Sequence, residues 1–215
     1  MILNRPVIII GAGGHAKVLI SSLNVLRREI VGILHSDVSL TGQSIAGAFI
    51  LGNDNMVKNY ASDSVELVNG LGSVSLTEKR KNIYLQFKKD GYSFATVIHP
   101  TATIISGVQL GEGVQIMAGA IVQIGCIISN NTIINTGSVV DHDCIIGAHV
   151  HIAPGAVLSG GVQIGDMTHI GTAATIIQGI KVGDGVIIGA GAVVIKDIPA
   201  NVMVVGVPAR IVEKR

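Results

Sequence analysis

Three groups of residues have the types and spacing to do chemistry. The densest is Asp141-His142-Asp143, an imidazole between two carboxylates, with Asn135 seven residues before the histidine. A carboxylate on one ring nitrogen fixes the tautomer and raises the basicity of the other, so this cluster is a candidate general base near neutral pH. The alternative is a solvated turn with unremarkable charges. The second group is His149, His151 and His169, of which the last two are eighteen residues apart. Zinc needs three convergent imidazoles and an open position, and the spacing of His142, His149 and His151 does not resemble such a site, so no metal is expected. The third group is Gly11-Ala12-Gly13-Gly14-His15, ahead of an apolar-periodic segment. Free N–H groups and a helix dipole there can seat a phosphate. Ala16 stands where a GxGxxG motif needs glycine, so a simple tight turn is the alternative.

The elements that must position these groups are of two kinds. From Ala102 to Asp197 the chain divides into sixteen blocks of six without an insertion, and the third residue of every block is aliphatic. A fixed short period with turn residues between apolar anchors predicts a β-solenoid whose coils of eighteen residues stack on one another. On that ruler His142 lies beside Gly160 and His151 beside His169, an outward-facing pair that requires no function. Cys126 and Cys144 fall at first positions of blocks and are expected as small interior residues.

Before the solenoid the pattern alternates strand and helix. Residues 6–10 read as a strand. A helix then carries Ala16, Leu19, Ile20, Leu23 and Leu26 on one face. Residues 30–34 form a second strand, 41–52 a glycine-spaced loop, and Asn53-Asp54 cap a short helix to about Ala61. A third strand spans 65–68, a helix with Leu76, Ile83, Leu85 and Phe87 spans 76–90, and a last strand spans 94–98. The expected fold is an α/β Rossmann-like domain over 1–98 followed by a solenoid domain over 99–215. The strand ends at 11–15, 35–37 and 70–73 should line one edge, where open parallel sheets bind ligands.

With 15 basic and 14 acidic residues among 215, no nucleic-acid surface is expected. Mean hydropathy is high at +0.60, but no apolar run long enough to span a bilayer occurs, so no membrane insertion is expected. The beginning, MILNRPVIIIGAGG, reads as a first strand and not a signal peptide, and a cytoplasmic location is expected.

The segments GAGGHAKV, HPTA, INTGSVVDHDCIIG, HIAPGAVLSGGVQIG and VVGVPAR together resemble the hexapeptide-repeat sugar acyltransferases of the sialic-acid O-acetyltransferase group. Within it the chain is most similar to bacterial N-acetyltransferases of nucleotide-linked 4-amino-4,6-dideoxy sugars, which serve surface-glycan synthesis or protein glycosylation. The resemblance implies a left-handed β-helix, a homotrimer with active sites between subunits, acetyl-CoA as donor and a nucleotide-sugar acceptor. It places the general base at His142, its supporting acid at Asp143, and an active-site asparagine at Asn135. It places cofactor contacts at His151, Gly160, Thr172 and Ala190, and substrate contacts at Gly13, Gly14, His15 and Gly72. Where relatives carry an acidic pair after the second strand this chain has His35-Ser36, with Asp37 next as the candidate contact; where they carry Asn, it has Ser73. The rival readings are O-acetylation of a sialic-acid-like sugar, a solenoid scaffold without chemistry, and a metal enzyme like the γ-class carbonic anhydrases.

Overall fold

A computed structural model describes residues 5–74 and 77–214. The first unit is built on a five-stranded sheet. Its elements in chain order are β1 (Val7–Ile10), α1 (Gly14–Val25), β2 (Ile30–Leu34), β3 (Ser44–Ile45), β4 (Ala48–Gly52), β5 (Glu66–Asn69) and α2 (Glu78–Lys89), and the sheet order is β3-β4-β2-β1-β5. The central strand β1 is fully buried, as four consecutive β-branched residues predict. Helix α1 packs through Ala16, Leu19, Ile20 and Leu23. Leu26 does not join this face: the helix has ended and the side chain is 41% exposed.

Two further expectations fail here. The stretch 41–52 is not a loop. β3 and β4 pair as an antiparallel hairpin, and β4 extends the sheet in parallel beside β2. The short helix after Asn53 is a 3-10 turn over Asp54–Asn59. Leu76, expected in the second helix, lies outside the described residues; α2 opens at Glu78 and buries Arg80, Tyr84 and Phe87.

The last strand expected of the sheet belongs instead to the solenoid. Phe94 makes a single bridge to Leu67, while β6 (Val97–Ile98) pairs with β9 (Gln115–Ile116) on the solenoid face. From there sixteen two-residue strands follow at six-residue intervals, β7 (Thr103–Ile104) to β22 (Val193–Val194). Each of β7 to β19 pairs in parallel with the strand eighteen residues on, which divides the sixteen among three faces. The third residue of each block points inward, and Cys126 and Cys144 fill the same core with no exposure. The chain closes with the antiparallel pair β23 (Val202–Val205) and β24 (Arg210–Lys214). Among the described residues no helix is long and apolar enough to cross a membrane.

The corners explain the glycines. The sixth residue of each of the first fifteen blocks, from Gly107 to Gly191, has a positive φ. That conformation carries little cost for glycine and a real one for a residue with a Cβ. Asp143 adopts it nonetheless, with φ +59°.

Candidate active site

The face formed by β9, β12 (Ile133–Ile134), β15 (His151–Ile152), β18 (His169–Ile170) and β21 (Ile187–Ile188) is covered by the α/β unit. The first strand position tells the faces apart. Gln115, Ile133, His151, His169 and Ile187 are buried or nearly so, whereas Gln109, Ile127, Ile145, Gln163 and Lys181 on another face are exposed.

Between the covered face and the α/β unit lies a cleft of about 1190 Å³. One wall carries the strand ends with Gly13, Gly14, His15, His35, Ser36, Gly72 and Ser73; the other carries Asn135, His151, His169 and the solenoid edge Thr136, Pro154, Thr172 and Ala190. The cleft thus gathers most of the expected contacts. It does not include Asp37, whose Oδ1 accepts from the Ser39 backbone N–H and hydroxyl. Nor does it include His142, Asp143 or Gly160.

The floor of the cleft is a cluster of histidines, where an outward-facing pair that requires no function was expected. His151 Nδ1 and His169 Nδ1 meet at Ser73 Oγ, at 2.9 and 3.1 Å. His151 Nε2 meets Asn135 Nδ2 at 3.0 Å, and its ring lies 5.1 Å from that of His169 and 6.4 Å from that of His15. His15 Nε2 meets Gln115 Oε1 at 2.7 Å, and Gln115 Nε2 donates to Asn69 O.

Burial holds these rings neutral. It pushes His151 down to about 2 and His169 to about 4. Burial, with the Arg80 guanidinium second, takes His15 to about 4. Arg80 is itself fully buried behind the floor. It donates to the carbonyls of Asn69, Leu71 and Asn131, and among the described residues it has no carboxylate partner. Sequence reading missed Gln115 and Arg80 as parts of this wall, and the contact of Ser73 with His151 and His169. The available signal for Gln115 was a polar side chain at the first strand position, which recurs on this face at His151 and His169.

The Asp141-His142-Asp143 corner lies between two other faces. Its imidazole is about half exposed, with Nδ1 2.8 Å from Asp143 Oδ2. That bond, with the Asp141 charge adding to it, raises the histidine above its ordinary value. Asp141 Oδ1 accepts the His142 N–H at 2.8 Å. Glycines on the adjacent coils make room: a Cβ at Gly125 would overlap the Asp143 carboxylate, and one at Gly160 would overlap His142 Nε2. With Nδ1 occupied by the carboxylate, Nε2 is the ring atom free to take a proton.

A buried apolar solenoid, a carboxylate-held histidine on its corner and a long cleft against an α/β unit define a class: a hexapeptide-repeat acyltransferase. Family models agree, matching "Bacterial transferase hexapeptide (six repeats)" over residues 125–160 and 161–196 and "PglD N-terminal domain" over residues 6–87. Among solved structures the chain is similar to perosamine N-acetyltransferase from Caulobacter crescentus, in complex with CoA and GDP-perosamine. The two share 36% identity over 97% of both chains, with a TM-score of 0.89. It is equally similar to the acetyltransferase domain of PglB from Neisseria gonorrhoeae, at 36% identity over 97% of this chain and 100% of that one, TM-score 0.89. WeeI from Acinetobacter baumannii follows at 28% identity over 97% and 100%, TM-score 0.86. No curated protein sequence matches the chain at a significant level. The chain belongs to the nucleotide-amino-sugar acetyltransferases of the hexapeptide-repeat family, and it is an acyltransferase.

Proposed function

We propose that the chain transfers the acetyl group of acetyl-CoA to the amino group of a nucleotide-linked 4-amino-4,6-dideoxy sugar bound across the cleft. The observation that carries the chemistry is His142: Nδ1 is held by Asp143 while Nε2 faces the cleared space at Gly160. The nucleotide's phosphates sit on the free N–H groups of Gly13 and Gly14 at the start of α1. The acetyl-CoA arm follows the edge through Thr172 and Ala190.

The amine nitrogen attacks the thioester carbonyl carbon and His142 Nε2 accepts its proton. The tetrahedral oxyanion takes a hydrogen bond from a backbone donor, for which the Gly160 N–H, one coil along, is the candidate. The carbon–sulfur bond then breaks, and the CoA thiolate recovers the proton from the imidazolium. No acetyl-enzyme forms: burial pushes the Cys144 thiol up to about 12, and Cys126 is raised for the same reason.

Because His142 stands outside the cleft of its own chain, a second copy brings its corner to that cleft. This is the arrangement of a homotrimer with active sites between subunits. The half-exposed apolar residues Ile124, Ile127, Ile145 and Ile177 on the outer solenoid support burial against a neighbour.

The test is an acceptor panel with acetyl-CoA and purified protein: GDP-perosamine, UDP-linked 4-amino-4,6-dideoxy sugars and free nonulosonic acids. CoA release with an N-acetylated sugar nucleotide as product is expected. Acetylation confined to the free nonulosonic acids, or no CoA release with any acceptor, overturns the reading.

A further inference from the structure

The hydrogen-bond chain on the cleft floor has a direction, and one end sets it. Asn135 Oδ1 accepts the Thr136 N–H at 2.8 Å, which turns its Nδ2 toward His151 Nε2. The neutral His151 accepts there, so its own proton sits on Nδ1 and is donated to Ser73 Oγ. The single Ser73 proton then goes to His169 Nδ1, and the neutral His169 carries its proton on Nε2. His169 is 6% exposed and lines the cleft, and its Nε2 has no partner among the described residues. That atom is not among the fully buried, unpartnered polar atoms of the described residues, so an acceptor on a ligand in the cleft can reach it.

We propose that His169, oriented by Ser73, is a specificity residue that donates its Nε2–H to a hydroxyl or ether oxygen of the acceptor sugar. This rests on the nucleotide-sugar reading above. The position favours the sugar over the phosphates. Gly13 and Gly14 adjoin His15, His151 comes next, and His169 lies further along the floor toward Thr172. A neutral donor also discriminates: it satisfies an oxygen acceptor and offers nothing to an ammonium group in the same place.

The relay is read without any substrate. Long-range proton–nitrogen NMR on histidine-labelled protein, assigned with His151→Phe and His169→Phe, should show opposite tautomers, Nδ1–H for His151 and Nε2–H for His169. A His169 in the Nδ1–H tautomer, or charged at pH 7, overturns the relay. Ser73→Ala should leave the His151 tautomer in place and mix that of His169, which a purely structural serine would not do.

The sugar contact is read by kinetics and binding. His169→Phe should raise KM for the accepted sugar nucleotide about tenfold, the weight of one neutral hydrogen bond. kcat, the KM for acetyl-CoA and the Kd for the matching nucleoside diphosphate should stay within twofold. An unchanged sugar-nucleotide KM, or an equal loss for the nucleoside diphosphate, overturns the contact. If the wild type acetylates no sugar nucleotide at all, the functional reading and the sugar contact fall together, while the NMR result still decides the relay.

Discussion

The solenoid carries histidines in two settings, and the same side chain behaves in opposite ways in them. At the corner, His142 is half exposed and bonded to a carboxylate, so its charged form is favoured. On the covered face, His151 and His169 are buried among each other, His15 and the distant charge of Arg80, so only their neutral forms survive. A proton acceptor in catalysis has to gain and lose a proton near working pH; a recognition element has to keep a fixed donor and acceptor pattern. Which face of the prism a block occupies decides between the two, and the six-residue pattern itself is the same in both.

The sharpest way to break this contrast is to remove the titrating member. His142→Ala should lower kcat/KM by roughly 10²–10⁴-fold, the usual weight of general-base help, with thermal melting unchanged. Turnover near wild type in steady-state assays would remove His142 from the mechanism. Gly160→Ala comes next. A Cβ there meets His142 Nε2, the end of a movable side chain, and Gly160 itself needs no positive φ. The imidazole should be displaced with the fold intact, lowering kcat/KM on the order of 10²-fold, since small misplacements of reacting groups are that costly. Wild-type activity in Gly160→Ala would show that the ring does not work from this position.

Asp143→Asn removes the main cause of the raised His142 value. With His142 acting as the proposed base in its neutral form, activity should fall as pH falls through the histidine's value, above 6.5 in the wild type. In the variant the acid limb of the kcat/KM profile should move to lower pH, with about a tenfold loss at its plateau. An unmoved limb would detach the limb from His142. The smallest effect is on stability. His15, His151 and His169 take up protons in the unfolded chain below 6.5 but in the folded one only near 4 or lower. The unfolded state therefore binds more protons in that window, and stability present above 6.5 is lost as pH falls toward 4. Calorimetric scans should show Tm dropping by several degrees between pH 7 and 4.5, and less so in His169→Phe.

Most of the solenoid could be read from the residues alone, because one aliphatic position in six survives sixteen repeats and a parallel stack demands it. The Asp141-His142-Asp143 corner stood out for the same reason: charge and a Cβ appear where the pattern favours glycine. The hairpin at 44–52 did not, since its Gly and Ser content matches a loop and the sheet edge that recruits Ala48–Gly52 is set by tertiary packing. The histidine floor was hidden more deeply. Nothing local says that the α/β unit folds back over one particular face, and only that contact turns His151 and His169 from surface residues into a buried pair sharing Ser73. Asp37 lies outside the lining of the cleft, with one carboxylate oxygen taken by the Ser39 N–H and hydroxyl.

The eighteen-residue coil also governs which length changes the gene could tolerate. Inserting or deleting a whole coil between Thr172 and Ala190 would keep all three faces in phase and lengthen or shorten the cleft edge by one strand spacing, about 4.8 Å. A change of six residues would instead rotate everything downstream by one face, carrying the next covered residues into solvent. Evolution and the protein engineer therefore share one adjustable dimension here, the number of coils, and it moves in whole steps.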